Sequence, residues 1–178
     1  SKLIILWISS NFALGFDTTA KSAIVYDETT NSILFEKFAD KPLPPASMSK
    51  LMTLLLTFEA LKEKRISLST KFRVSEKAAN KGGSTMFLEK NQQVSVEDLI
   101  KGISIVSGND ACIVIAEGLN GTEESFVKRM NLKGKDIGLT NSNFNNSTGW
   151  PSPGHLMSVR DLLKIAIFIR EKYPNFYN

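Results

Sequence analysis

Ser47-Met48-Ser49-Lys50 places a hydroxyl and an amine at positions i and i+3, directly after Pro44-Pro45-Ala46 and before an apolar run. On a helix these positions share a face, so Ser47 and Lys50 can come within hydrogen-bond reach. A serine hydroxyl is a poor nucleophile until a neighbour removes its proton. A lysine can do so once burial or nearby cations lower its pKa from about 10.4 toward neutrality. A helix start also leaves unpaired backbone N–H groups, which can stabilise an oxyanion at the attacked carbonyl. The chemistry suited to these residues is acyl transfer through an ester on Ser47.

S-x-x-K alone says little, because it arises by chance on the order of once in a chain of this length. Ser125-Phe126-Val127-Lys128 is a second match, but it lies in a charged amphipathic stretch with no strand, proline or helix start before it. It reads as a solvated helix face. The first copy gains weight from Ser107-Gly108-Asn109, which sits between the apolar segments Ile103–Val106 and Ala111–Ala116. There a loop hydroxyl could relay a proton between Lys50 and a leaving amine, and the Asn109 amide could hold a substrate peptide by its carbonyl or N–H. Ser and Asn are also favoured helix caps, and the triplet alone is compatible with that role.

Single residues elsewhere carry less. His155 has no matching carboxylate and nucleophile pattern and reads as a surface or capping residue. Cys112 follows the triplet in an apolar helical stretch and reads as a small buried side chain rather than a reactive thiol. One cysteine and one histidine make neither an intrachain disulfide nor an ordinary zinc site, so no metal or cofactor is expected. The Gly82-Gly83 loop either flanks the mouth of a cleft or is an ordinary turn, and no catalytic residue is assigned to it.

Elements to position these residues can be read from periodicity and turn chemistry. Ser22–Tyr26 and Ser32–Glu36, either side of Asp27-Glu28-Thr29-Thr30-Asn31, form a predicted β-hairpin. Pro42, Pro44 and Pro45 forbid regular structure up to Ser47, after which Leu51, Leu54, Leu55, Phe58 and Leu61 recur at helical spacing, so a long helix starts at or just after Ser47. Capping boxes at Ser95/Asp98 and Ser158/Asp161 mark two more helix starts. An Asn/Ser-rich loop runs from Asn141 to Gly154, and Pro174 stops the last helix near Lys172. The fold class is α+β, with a two-stranded partial antiparallel sheet beside a mainly helical subdomain, and further strands are expected to accompany the hairpin.

Composition bounds the partners. A chain of 178 residues, 42% hydrophobic, can build one domain with a real core. The net charge of +4 is mild, and no Lys/Arg block interleaves with aromatics, so nucleic acid is excluded. The basic bias suits an anionic wall or membrane surface. Lys2, the apolar run Leu3–Ile8 and Phe12-Ala13-Leu14-Gly15 predict that residues 1–15 are the remnant of a secretory signal peptide cut after Gly15, a buried first strand or helix being the alternative. The run is shorter than the about 20 apolar residues of a bilayer span.

S-x-x-K followed by S-x-N is the pattern of penicillin-binding proteins and serine β-lactamases. Pro45–Thr53, Gly83–Leu88, Ser107–Cys112, Phe126–Asn131 and Ser158–Leu162, in this order, resemble the low-molecular-mass serine-type D-alanyl-D-alanine carboxypeptidases, and the resemblance runs from Ala20 to Tyr173. It implies the β-lactamase/transpeptidase-like fold, with Ser47 as the acylated serine, Lys50 as its general base, and Ser107 and Asn109 as proton-relay and substrate-amide residues. It implies hydrolysis of the terminal D-Ala-D-Ala bond of a peptidoglycan stem pentapeptide, with β-lactam antibiotics as covalent inhibitors. The protein would be exported, in the periplasm or at the extracytoplasmic face of the bacterial inner membrane, with peripheral membrane association. The third family motif, K-T-G, occurs nowhere after Asn109, so residues 16–178 are expected to be a partial catalytic domain lacking its C-terminal strands. Two rivals stand beside this. One is a serine β-lactamase, whose E-x-x-x-N deacylation pattern is matched after Asn109 only by Glu171 and Asn175. The other is an inert truncated domain that only binds peptide.

Overall fold

The chain is described by a computed structural model over residues 18–177; the leader reading of residues 1–15 lies outside the described residues. β1 (Ala23–Asp27) and β2 (Ser32–Lys37) form the expected antiparallel hairpin. Asp27 shapes its turn by accepting from the Thr29 N–H at 2.9 Å and the Thr30 hydroxyl at 2.6 Å, as Asp does in turns. Pairing runs from Ala23↔Lys37 to Val25↔Phe35 and resumes at Tyr26↔Ile33, so Leu34 is the extra residue of a β-bulge. No residue of either strand is fully buried. Arg160 ties the hairpin to the helical part, through Glu36 at 2.6 Å and Asp40 at 2.7 Å.

A 3₁₀ turn over Ala46–Ser49 precedes α1 (Lys50–Lys62). Ala46 takes a left-handed φ of 49°, so the chain turns tightly after its prolines before the α-helix proper begins at Lys50. α1 buries Met52, Leu55, Leu56, Phe58 and Leu61, while Leu51 and Leu54 are only partly buried. Its apolar side chains run round the helix rather than along one stripe, the pattern of a helix packed on several sides.

A short antiparallel pair, β3 (Lys71–Arg73) with β4 (Gln93–Ser95), brackets α2 (Glu76–Ala79) and the 80–92 loop. The sequence reading has no counterpart for it, because three-residue strands offer no period to read. Then follow α3 (Val96–Val106), α4 (Asn109–Asn120), α5 (Glu123–Asp136), α6 (Val159–Lys172) and α7 (Pro174–Tyr177). Both predicted caps form: Ser95 Oγ accepts from the Asp98 N–H at 3.1 Å, and Ser158 Oγ from the Asp161 N–H at 3.2 Å. α4 is the central element, with Ala111–Ala116 all buried and contacts to α1, α2, α3, α5 and β3. Leu43 and Met157 exchange backbone hydrogen bonds of 2.9 Å in both directions. That pairing seats the proline segment, and with it Ser47, beside the start of α6.

Glu59, in α1, is buried and accepts from Arg129 at 2.9 Å and from Lys133, both on α5. Burial acts to raise its pKa, but the hydrogen bonds from Lys133 and Arg129 outweigh it and hold the carboxyl below the usual value of 4.5. A carboxyl whose pKa falls on folding stabilises the fold fully above its unfolded pKa, and that contribution is lost as the pH drops through the folded value. Glu59→Ala, which strands two cations, is expected to cost on the order of 3 kcal/mol. Glu59→Gln should lower the urea midpoint at neutral pH, with the gap to wild type narrowing below pH 4.5. An equal gap at both pH values would show that the carboxylate charge contributes nothing.

Candidate active site

Ser47, in the 3₁₀ turn, is exposed, while Lys50 is only 4% exposed. Lys50 Nζ donates to Ser47 Oγ at 3.1 Å and to the Thr148 carbonyl at 2.7 Å. Burial pushes the Lys50 pKa below its ordinary value; Cys112, whose thiol burial raises to about 12, acts against this, and Lys81 adds to it. An amine buried against neutral oxygens, with no carboxylate hydrogen-bonded to it among the described residues, favours the unprotonated form that a general base requires. One expectation is reduced: the Met48 N–H donates to the Pro45 carbonyl at 3.2 Å, so not every amide at this turn is unpaired and open to an oxyanion.

The Thr148 carbonyl belongs to a tight turn built on one side chain. Asn146 Oδ1 accepts from the N–H groups of Thr148 (3.1 Å), Gly149 (2.8 Å) and Trp150 (3.1 Å), and Asn146 Nδ2 donates to the Trp150 carbonyl at 2.8 Å. Thr53 Oγ1, from α1, donates to the Ser147 carbonyl at 2.7 Å. Gly149, at φ +82°, lies so close to the serine turn that a Cβ there would sit 1.8 Å from the Ala46 carbonyl oxygen. Only glycine meets both demands.

Ser107 ends α3 in a left-handed conformation (φ 57°, ψ 37°), and its Oγ is buried with no hydrogen-bond partner among the described residues. Ser107 does cap α3, through its left-handed backbone and its N–H to the Gly102 carbonyl, but its hydroxyl takes no part in that cap. Asn109 opens α4, its N–H donating to the Ser84 carbonyl at 2.7 Å and its Nδ2 to the Gly82 carbonyl at 3.0 Å. The Gly82-Gly83 loop thus borders the site. A Cβ on Gly83 would meet Asn109 Nδ2 at 2.8 Å and the Trp150 ring at 2.9 Å, and Lys81 Nζ lies 4.3 Å from the centre of that ring. Contacts run from Ser47 and Lys50 through Thr148, Gly149 and Trp150 to Gly83 and Asn109, and so join the two motifs.

Other residues fall elsewhere. Ser125 and Lys128 are exposed on α5, as expected of the second S-x-x-K. Glu171 and Asn175 are exposed at the α6–α7 junction. His155 corrects the sequence reading: it is 2% exposed, lies edge-on to Phe144, and its Nδ1 accepts from the Asn145 N–H at 3.3 Å. Backbone bonds between Asn143 and Leu156 close the loop over it. Three contributors escaped the sequence reading: Asn146, Glu123 and Asp110. Asp110 accepts from the N–H groups of Met86 (3.0 Å) and Leu88 (3.1 Å) and so holds the 81–88 loop to α4. Its position directly after S-x-N, in the first turn of a helix, was the available signal. Among the described residues no group of His, Cys, Asp and Glu is arranged to hold a metal ion, and no helix is long and apolar enough to cross a membrane.

Comparison with known proteins gives the same grouping. The family model for D-alanyl-D-alanine carboxypeptidase matches residues 9–178. D-alanyl-D-alanine carboxypeptidase DacF of Bacillus subtilis is 46% identical over 147 residues, covering 83% of this chain and 38% of the relative. The crystal structure of D-alanyl-D-alanine carboxypeptidase DacD from Francisella tularensis superposes with a TM-score of 0.88 at 33% identity, over 99% of this chain and 42% of that one. Penicillin-binding protein D2 of Listeria monocytogenes, in its ampicillin-bound form, gives a TM-score of 0.79 at 27% identity, over 90% of this chain and 65% of that one. The chain thus spans about two-fifths of the DacF and DacD relatives, with the mixed α+β fold of the penicillin-binding proteins. On the match over residues 9–178 and the 46% identity, the chain belongs to the D-alanyl-D-alanine carboxypeptidase family.

Proposed function

We propose that this chain carries the acylation centre of a serine-type D-alanyl-D-alanine carboxypeptidase, with Ser47, Lys50, Ser107 and Asn109 as its working residues. The observation that carries the reading is the Lys50 amine, buried, depressed in pKa and 3.1 Å from the Ser47 hydroxyl. Ser47 Oγ attacks the carbonyl of the penultimate D-alanine as Lys50 takes its proton. The Ser107 hydroxyl, without a hydrogen-bond partner among the described residues, relays that proton: it gives its own to the leaving D-alanine amine and takes the one held by Lys50. Asn109 holds the stem peptide through the donor and acceptor capacity that its bond to Gly82 leaves over. Water then hydrolyses the ester. A β-lactam opens on the same serine, a reading supported by the ampicillin-bound relative. The K-T-G triplet implied by the family resemblance is not among these residues, and substrate-carboxylate binding and part of the oxyanion hole fall to sequence outside them. Because the substrate is cell-wall peptide, the protein is placed in the periplasm or at the extracytoplasmic membrane face, associated peripherally.

In the full-length protein, a fluorescent penicillin should label Ser47. Ser47→Ala should abolish labelling and Ser125→Ala should not, as read by mass spectrometry of the adduct; label on Ser125 would remove the assignment. Because the neutral amine is the active form, acylation should accelerate with pH through a midpoint below the ordinary lysine value of 10.5. Lys50→Arg, which stays protonated, should be nearly inactive; near-normal acylation by it would make Lys50 structural. Gly149→Ala should slow acylation on the order of 10²-fold by pushing the Thr148 carbonyl off the base, whereas Gly82→Ala, with nothing within 4 Å of its Cβ, should stay within a few-fold of wild type.

A further inference from the structure

Glu123 opens α5 and is only 8% exposed, yet its hydrogen bonds go to none of the four proposed working residues. Its Oε1 accepts twice from one residue, from the Ser147 N–H at 2.9 Å and from Ser147 Oγ at 2.7 Å. Its Oε2 pairs with Lys77 of α2 at 2.8 Å. Ser147 is gripped from the other side by Thr53 of α1, which donates to its carbonyl at 2.7 Å. The next carbonyl along the chain, that of Thr148, receives Lys50 Nζ at 2.7 Å.

This clamp bears on the base through simple geometry. A neutral amine has two N–H donors and one lone pair. An amine free to turn about its last bond presents the lone pair to Ser47 only part of the time. Fixing one N–H on the Thr148 carbonyl removes most of that freedom, and the carbonyl can do this only if its own peptide is held. We infer that Glu123 is a positioning residue for the general base: by accepting both hydrogen bonds from Ser147 it sets the Thr148 carbonyl, which orients the Lys50 amine toward Ser47. The inference rests on the acyl-transfer reading of Ser47 and Lys50.

The reach of the acceptor, more than its charge, is the property used. Burial acts to raise the Glu123 pKa, but the hydrogen bonds from Lys77 and Ser147 outweigh it and hold the carboxyl below the usual range. Its charge is paired with Lys77, an ammonium it shares with Glu124 at 2.9 Å. The ionisable groups that face Lys50 are Cys112 from α4 and Lys81 from the 80–92 loop. Both stay in place in the variants below.

The test uses the full-length protein and the rate of acylation by a fluorescent penicillin, measured against pH. Glu123→Gln keeps an acceptor at the same reach and should stay within a few-fold of wild type. Glu123→Asp keeps the charge but is one methylene short, and should lose on the order of 10 to 10²-fold, as should Glu123→Ala. In the two impaired variants the midpoint of the pH profile should move up toward the ordinary lysine value, because a displaced strap admits water to Lys50. If Glu123→Asp acylates faster than Glu123→Gln, the charge paired with Lys77 is what matters and the inference falls. It falls equally if the impaired variants keep the wild-type pH midpoint and only melt earlier, which is the signature of a structural role. Should Glu123→Ala not fold, the order of the Asp and Gln variants and the pH midpoint of Glu123→Asp decide. A wild-type protein that takes no label would instead overturn the acyl-transfer reading, and the inference with it.

Discussion

Burying a lysine amine without an acidic partner is unfavourable for its charged form, and the centre of this structure is arranged around that cost. Lys50 lies under the serine turn with two neutral oxygens for partners, Ser47 Oγ and the Thr148 carbonyl. The amine can relieve the cost by giving up its proton, which turns it into a base. Other features follow from keeping it there. α1 must be covered on several sides, which explains an apolar helix without a single stripe. Residue 149 must be glycine, because the strap that supplies the second oxygen runs against the Ala46 carbonyl.

A second pattern organises the loops round this centre. Asp110, Glu123 and Asp161 each occupy the first turn of a helix, α4, α5 and α6, and each is buried. Each accepts from backbone N–H groups of a distant loop: Asp110 from Met86 and Leu88, Glu123 from Ser147, and Asp161 from Asn141. A helix N-terminus carries partial positive charge, so a carboxylate there is stabilised before any side-chain cation is counted. The acids can then act as ordered acceptors for loops that have no ladder of their own. Two of these loops, 81–88 and 146–150, form the borders of the candidate site.

The hairpin stands apart from this arrangement. Its strands bury no residue completely; β1 packs against α6, and ion pairs from α6 add to that contact, Arg160 to Glu36 and to Asp40 just after the hairpin, and Arg170 to Glu28. Partly exposed ion pairs of this kind contribute little each, about 0 to 1 kcal/mol. The alignment of residues 39–43 with 157–160 matters more, since those backbone bonds fix the entry of the chain into the serine turn.

What the sequence determined by itself was local. The spacing of Ser47 and Lys50 puts both on one helical face, Asp27 and its neighbours specify a tight turn, and Ser95 and Ser158 cap helices because the bonds they make close within three residues. The order of the motifs along the chain was enough to point to the family. Tertiary structure alone decided the rest. The carbonyl oxygen to which Lys50 donates comes from 98 residues away, the loop acceptors Asp110 and Glu123 find their partners 22 to 24 residues off, and nothing in their spacing encodes those meetings. His155, read as a surface or capping residue, is buried because two backbone bonds close a loop over it. The charge state of Lys50 likewise depends on how much water reaches it. A sequence names the amine, but only the packing around the amine decides whether it is a cation or a base.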